Sequence, residues 1–240
     1  MNRDIETIAG RVFPDDLLAF LNAHAADPRV FPALNPQPTY HWITRHSGIP
    51  WLQVDLPFPA EAMYGEASRL RERFVTHRAR DSRGWSSLCV LGISAQHTLS
   101  ARAYGYTNDA EAPYDWTDIA DKAPVTVAFL RSLPFRRLYR ARFMRLDPGG
   151  YILPHHDRSE SVIGGELNLA LNNPHGARFV MEQGGTLPLS TGAAVLPDLS
   201  NRHALINNGA EPRYHMIVHI SSALPEWESM VTDAYRKAAD

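Results

Sequence analysis

Short apolar runs broken by glycine, proline and asparagine fill the chain from about residue 85 onward, and they constrain the fold more than any other feature. Eight such runs follow one another: WSSLCVLGI, RLYRARFMRL, GYILPH, GELNLALNN, ARFVME, GAAVLPD, HALIN and YHMIVHIS. Spacings of roughly ten residues with turn residues between are typical of an antiparallel sandwich or barrel. The runs therefore predict a mainly β fold, a double-stranded β-helix of the jelly-roll or cupin-like kind.

Helices are predicted on both sides of this β region. Residues 14–25 place a proline and two acids ahead of apolar residues at helical spacing, and residues 61–78 predict a second helix. A short helix fits residues 124–134, and LPEWESMVTDAYRKA predicts a closing helix. The proline-rich stretch 28–59 predicts irregular chain wrapped on the surface of the core.

We expect one domain over residues 1–240, because no repeat or low-complexity tract divides the chain. In this prediction residues 1–82 form a helical and proline-rich region that packs on the core, residues 83–222 form the β core and residues 223–240 form the C-terminal helix. A length of 240 residues suits a single large β domain.

Composition excludes several classes of function. The formal net charge of −2 gives no overall attraction to nucleic acid or to anionic lipid, and no apolar run approaches the length that spans a bilayer. Cys89 is the single cysteine, so disulfides and cysteine-based zinc sites are ruled out within the chain. We therefore expect a cytoplasmic protein without a nucleic-acid or membrane partner, in which Cys89 is a core residue.

The sequence PHHDR at 154–158 is the first candidate for chemistry. In a strand, residues two apart point to the same face, so His155 and Asp157 project together while His156 points away. One imidazole and one carboxylate make two-thirds of the facial triad that holds non-haem Fe(II). Taken alone the pattern is weak, because polar residues at a strand end produce it without any metal.

A third ligand should come from a distant strand of the same barrel. His203 is the favoured candidate, because an Asn-Gly turn signal follows it and predicts a hairpin of residues 203–207 with 213–220. In that hairpin Arg213 returns beside His203. The remaining downstream candidates are His175, which lies in a turn sequence, and His215 and His219.

An arginine beside an iron site has a specific use. If 2-oxoglutarate chelates the metal, its 5-carboxylate needs a cationic partner, and a planar guanidinium offers two parallel hydrogen bonds. Arg213 alone could equally be a surface cation on a strand. The combination of a His-x-Asp pattern, a histidine 48 residues after the first and an arginine ten residues later favours an oxygenase.

Four stretches then resemble the aspartyl/asparaginyl β-hydroxylase family of 2-oxoglutarate oxygenases, which includes bacterial free-proline cis-hydroxylases. They are RGWSSLCVLG, SLPFRRLYRARFMRLDPGGYILPHHD, ELNLALNNP and VLPDLSNRHALINNGAEPRYHMIVHI, spread over the C-terminal two-thirds of the chain. The resemblance implies Fe(II) and 2-oxoglutarate as cofactors. It implies His155 and His203 as iron ligands and Arg213 as the partner of the 2-oxoglutarate tail.

The same resemblance bears on neighbouring positions. It implies that Trp85 lies near the cosubstrate or substrate, although core packing explains this tryptophan equally well. The animal enzymes of the family have a glycine where this chain has Asp157, so the carboxylate ligand is retained here as in the bacterial enzymes. Asn168 and Ala170 stand where the animal enzymes have arginine and histidine contacts. We place Asn168 beside the cosubstrate.

Candidate substrate-binding residues come from the strands next to this site. The run RSLPFRRLYRARFMR alternates with period two, which predicts a solvated strand face. Arg140 and Arg142 share one face, however, and the resemblance points that face toward the pocket, where either could hold a substrate carboxylate. His215 could line the pocket on the strand of Arg213, whereas His219 is expected to be a core or rim histidine.

The sequence thus predicts an Fe(II)/2-oxoglutarate-dependent hydroxylase that acts with O2 on a free amino acid or a similar small carboxylate-bearing molecule. Hydroxylation of a peptidyl Asp or Asn side chain in peptide or natural-product maturation is the alternative within the class. A cupin-like metal isomerase, a sugar- or effector-binding module and a zinc hydrolase use the same fold or ligands without requiring Arg213.

Overall fold

The structure is a computed structural model that describes residues 12–28, 35–158 and 160–239. The helices are α1 Asp15–His24, α2 Tyr40–His46, α3 Ala60–Arg69, α4 Pro124–Ser132 and α5 Pro225–Ala239, with 3-10 turns at Arg71–Arg73, Ala101–Tyr104 and Ala120–Lys122. The strands are β1 Trp51–Val54, β2 Val75–Thr76, β3 Ser82–Gly92, β4 Asp115–Trp116, β5 Phe135–His155, β6 Glu166–Ala170, β7 Ala177–Met181, β8 Gly185–Thr186, β9 Ala194–Pro197, β10 His203–Asn207 and β11 Arg213–Ala223.

The strands form one curled antiparallel sheet with the order β1-β9-β6-β11-β5-β10-β7-β8, and β3 lies along the other edge of β5 with β2 and β4 attached to it. Strand β5 is 21 residues long and belongs to both halves of the curl. Residues 135–146 of β5 pair with β11, and residues 151–155 pair with β10. Buried side chains from both halves meet in one cluster, which includes Met144, Ile152 and Phe179.

The change of partner falls at the sequence Asp-Pro-Gly-Gly, residues 147–150. Gly149 has a φ of +76°, a left-handed conformation that glycine adopts without strain. At Gly150 a Cβ would lie 2.7 Å from the carbonyl oxygen of Asp147 and 3.0 Å from that of Arg83. These two glycines therefore let one strand bend from the first half of the sheet into the second.

Most predicted elements are confirmed. Helices α1, α4 and α5 lie where the sequence indicated them, and the eight apolar runs correspond to seven strands because RLYRARFMRL and GYILPH are both parts of β5. The mainly β fold class is confirmed by the curled sheet. Cys89 is fully buried, as expected of a core residue. Among the described residues no helix is long and apolar enough to cross a membrane.

The predicted hairpin of residues 203–207 with 213–220 is wrong. Strand β10 pairs with β5 and β7, whereas β11 pairs with β5 and β6, so the two strands lie in different halves of the curl. Consequently Arg213 faces Leu146 across the ladder, and His203 faces His155. Every residue of β10 is buried, and this burial, which the Asn-Gly signal does not report, favours strand partners on both edges.

The prediction of irregular chain over residues 28–59 is also wrong in two places. Helix α2 begins after Thr39, whose side-chain oxygen accepts a hydrogen bond from the Trp42 N–H, and β1 joins the sheet through β9. The predicted helix over 61–78 is too long, because α3 ends at Arg69 and the chain turns into β2. Residues 29–34 of the proline-rich stretch lie outside the described residues.

Gly150→Ala should destabilise the protein, because the new methyl group meets two backbone oxygens that cannot move without disturbing β3 and β5. We expect a loss of about 1–3 kcal/mol in the free energy of unfolding, measured by urea denaturation. Gly65→Ala is the matched control, since its methyl group would meet only the flexible end of Arg69 at 3.4 Å. This helical substitution should be neutral or stabilise by up to about 1 kcal/mol. Equal effects of the two substitutions would contradict the role of Gly150.

Candidate active site

Two imidazoles meet where β5 and β10 pair. His155 is the last residue of β5 and His203 the first of β10, and the two are register partners. Their ring centroids are 4.4 Å apart. Asp157 lies two residues beyond the end of β5, where its backbone N–H donates to the carbonyl of Leu199. The predicted projection of His155 and Asp157 to one place is therefore correct, although Asp157 is outside the strand.

Backbone carbonyls orient both rings. The Nδ1–H of His155 donates to the carbonyl of Leu153 at 2.7 Å, and the Nδ1–H of His203 donates to that of Asn201 at 2.9 Å. A ring whose Nδ1 carries the proton presents a lone pair at Nε2. Each Nε2 lies 3.6 Å from one carboxylate oxygen of Asp157. The three donor groups lie within 4.8 Å of one another, so together they can hold a metal ion.

Asp157 is held in place from outside the triad by Arg78. The Nη1 of Arg78 donates to Oδ1 of Asp157 at 2.5 Å, and the backbone of Arg78 is left-handed with φ +48°. Although burial raises the pKa of Asp157, the nearby His155 and His203 rings and the charge of Arg78 hold this pKa well below its usual range. Asp157 is therefore an anionic metal donor at neutral pH.

The donor set fits Fe(II). Two imidazoles and one carboxylate on one side of a cavity make the facial arrangement that non-haem iron takes, and such a set leaves positions for other ligands. Hydrogen bonds to the far side of each ligand, as at Leu153, Asn201 and Arg78, are the usual support of such a centre. His155, Asp157 and His203 would hold the ion.

The triad opens onto a cavity of about 460 Å³ between the two halves of the sheet. Apolar side chains form part of its wall, among them Ile152, Leu205 and Ile217. Trp85 and Asn168 line it, and both are buried. Among the described residues the indole Nε1 of Trp85 has no hydrogen-bond partner, so this donor is unused.

Arg213 does not lie on the wall of this cavity but directly behind it. Its side chain is buried, and Nη1 donates to Nδ1 of His215 at 3.1 Å while Nε donates to Oδ1 of Asn173 at 3.3 Å. Burial lowers the pKa of Arg213 to about 10, so the guanidinium stays charged at neutral pH. His215 does line the cavity. Burial and then the charge of Arg213 lower its pKa well below the usual range, so His215 is neutral.

Arg140 and Arg142 both line the cavity, as predicted. Both guanidinium groups hydrogen-bond the backbone carbonyl of Thr98 and Nε2 of His219. His219 was expected to be a core or rim histidine, but it contacts both arginines and forms part of the wall. Its Nδ1 lies 3.4 Å from the carboxylate of Glu166, which also pairs with Arg158.

Other cavity residues gave no usable signal in the sequence. Arg78 lies in an irregular turn 79 residues before the aspartate it binds. His77 is buried with its ring 4.3 Å from that of Trp85, and burial followed by the charge of Arg142 lowers its pKa to about 2. His77 and Arg78 reach the cavity because β2 pairs with β3 and β3 pairs with β5.

The remaining histidine candidates lie elsewhere. His175 is exposed in its turn, as predicted. His156 is exposed and its Nδ1 lies 2.7 Å from the carbonyl oxygen of Ser200, so it points away from the triad.

A sequence model of the aspartyl/asparaginyl β-hydroxylase family matches residues 60–222. No curated protein sequence matches the chain. Similar solved structures include a Pseudomonas putida prolyl-4-hydroxylase (15% identity, 73% of this chain and 94% of that chain, TM-score 0.40). Another is a 2OG-Fe(II) oxygenase family oxidoreductase from Burkholderia pseudomallei (12% identity, 82% of this chain and 95% of that chain, TM-score 0.47). A third is HygX from Streptomyces hygroscopicus with nickel and 2-oxoglutarate bound (12% identity, 79% of this chain and 88% of that chain, TM-score 0.43).

A curled β-sheet that presents two imidazoles and a carboxylate to a cavity is the arrangement found in non-haem iron oxygenases. The family match covers more than half of the chain, and it contains every residue of the triad. The chain belongs to the aspartyl/asparaginyl β-hydroxylase family and is a 2-oxoglutarate-dependent dioxygenase that uses Fe(II).

Arg78→Gln should weaken Fe(II) binding about 10- to 100-fold, because the carboxylate of Asp157 loses the donor that orients it. The affinity is measured by anaerobic competition with a chromophoric chelator. Arg80→Gln is the matched control, since Arg80 is an exposed arginine of the same turn, and it should leave the affinity unchanged. An Arg78→Gln protein with wild-type affinity would show that Asp157 needs no such support.

Proposed function

We propose that this dioxygenase hydroxylates a C–H bond of a small, carboxylate-bearing molecule such as a free amino acid. The observation that carries the proposal is one cavity of about 460 Å³ that holds the His155, Asp157 and His203 donors together with buried arginines. With O2, the Fe(II)–2-oxoglutarate pair supplies the oxidising power that turns C–H into C–OH, while 2-oxoglutarate leaves as succinate and carbon dioxide.

We assign the tail of 2-oxoglutarate to Arg213. A carboxylate that reaches past His215 would meet a charged guanidinium on a rigid strand, fully shielded from water. Shielding makes the ion pair stronger than it would be at the surface, and the planar guanidinium suits the two carboxylate oxygens. Trp85 and Asn168, which line the same cavity, are the further polar contacts that we assign to the cosubstrate.

The protein itself orients the metal donors and surrounds part of the reacting group with apolar side chains. Backbone carbonyls fix both imidazoles, and Arg78 fixes the carboxylate, so the donors need little reorganisation when the metal enters. Apolar side chains such as Phe179, Leu199 and Ile217 make part of the wall around the reacting group apolar. Exclusion of water strengthens each charged contact inside the cavity.

The size of the cavity favours a free small molecule over a peptide. Ligand cavities in proteins commonly measure about 300–1,000 Å³. This one lies in the lower half of that range and must hold the cosubstrate and the substrate together. A substrate the size of an amino acid fits the space that remains.

Arg213→Gln should raise the Kd for 2-oxoglutarate about 10- to 100-fold while Fe(II) stays bound, because the charge-assisted pair is lost. The measurement is an anaerobic titration of the Fe(II)-loaded protein, which follows the visible absorption band that forms when 2-oxoglutarate chelates Fe(II). Arg136→Gln, an exposed arginine of β5, is the control and should bind like wild type.

If the iron-loaded wild-type protein shows no saturable absorption band with 2-oxoglutarate, the proposed use of 2-oxoglutarate is wrong. A normal band in Arg213→Gln would instead keep the cosubstrate and move its anchor to another residue. Succinate formation on addition of amino acids and related acids then identifies the substrate class.

A further inference from the structure

Two buried cations of the cavity have no acidic partner. Arg140 and Arg142 are 5% and 6% exposed, and within the described residues no carboxylate lies within 4.0 Å of either guanidinium. The three acids on the same wall have other partners: Glu166 pairs with Arg158, Asp157 pairs with Arg78, and Asp109 accepts from the hydroxyl of Tyr114. Burying two like charges without a counter-charge is costly, so this pair is an exception that calls for an explanation.

The groups that contact the pair are neutral acceptors. The carbonyl of Thr98 accepts from both guanidinium groups. Nε2 of His219 lies 2.9 Å and 3.0 Å from the Nη2 atoms of Arg140 and Arg142, so it must carry a lone pair. Burial, followed by the charges of the two arginines, lowers the pKa of His219 well below its usual range and keeps the ring neutral. These contacts orient the arginines without cancelling their charge.

Both guanidinium groups also keep unused donors. The Nε of Arg140 and the Nε of Arg142 are buried and have no hydrogen-bond partner among the residues that the structure describes. A buried donor without an acceptor costs about 1–3 kcal/mol, and a charged one costs more. Two positive charges and two unused donors on the wall of one cavity together describe a site for an oxyanion.

We propose that Arg140, Arg142 and His219 form an anion subsite that recognises the substrate by a carboxylate. This inference rests on the proposed function and adds the substrate group that is recognised. The charges of Fe(II), Arg78 and Arg213 are already sufficient for Asp157 and the 2-oxoglutarate dianion, so the arginine pair is left for the substrate. A carboxylate matches it, because its two oxygens can accept from both guanidinium groups at once.

The subsite makes the choice of substrate depend on the negative charge of its carboxylate. A substrate that carries a carboxylate relieves the repulsion between the two arginines and satisfies their donors. Its amide has the same shape but leaves the charges unpaired, and sites built for a charged partner reject such analogues strongly. An acid should therefore be preferred over its own carboxamide by at least about tenfold in kcat/KM.

The first test needs no substrate and uses inorganic sulfate as the probe. The protein is loaded with Fe(II) and 2-oxoglutarate without oxygen, and its melting temperature is followed against sulfate at constant ionic strength. Wild type should show a saturable rise, and Arg140→Gln and Arg142→Gln should lose it. The Arg136→Gln control should keep it. If Arg142→Gln does not fold, Arg142→Lys replaces it. This variant retains the charge and loses the planar fork, so it should weaken the rise without abolishing it.

The second test uses turnover with matched pairs of amino or organic acids and their carboxamides, and it follows succinate. Acids should support turnover and amides should not, and Arg142→Gln should raise the KM for the acid at least about tenfold with little change in the KM for 2-oxoglutarate. Equal turnover of acid and amide, or a variant that affects only the KM for 2-oxoglutarate, overturns the subsite while the hydroxylase stands. A sulfate response that requires both arginines, without 2-oxoglutarate turnover for any compound, leaves the subsite standing and overturns the proposed function.

Discussion

One long strand pairs with both halves of the sheet, and this pairing fixes where the strands around the cavity lie. The first part of β5 pairs with β11 and its last residues pair with β10. The bend at Gly149 and Gly150 makes this change of partner possible. Because of this geometry one strand supplies both Arg142 and His155 to the same cavity. One iron donor, His155, thus comes from its end, and the cations that we propose for substrate binding come from its middle.

Neutral histidines explain how this cavity keeps positive charge in a buried place. His215 accepts from Arg213, and His219 accepts from Arg140 and Arg142. A carboxylate in either position would neutralise the arginines and compete with an incoming anion. An imidazole supplies the acceptor but not the charge, so each guanidinium is oriented and remains available. Both histidines project from the same face of β11, four residues apart.

Much of this was predictable from the sequence, for reasons that particular residues make clear. Period-two spacing placed Arg140 with Arg142, because alternation in a strand depends only on local geometry. The same rule brought His155 and Asp157 together, although Asp157 lies beyond the end of β5. The partnership of β10 was not predictable from the Asn-Gly turn, because strand pairing is decided by burial over the whole sheet. The contact of Arg78 with Asp157 joins residues 79 positions apart through an irregular turn, and no local pattern reports such a contact.

An anaerobic crystal structure with Fe(II) and 2-oxoglutarate bound would show the iron donors and the cosubstrate anchor together. We expect the metal to be held by Nε2 of His155, Nε2 of His203 and the carboxylate of Asp157. We also expect the tail of the cosubstrate at Arg213, with Arg140 and Arg142 left free for the substrate. A metal bound without Asp157, or a 2-oxoglutarate tail held by the Arg140–Arg142 pair, would show that the assigned site is wrong.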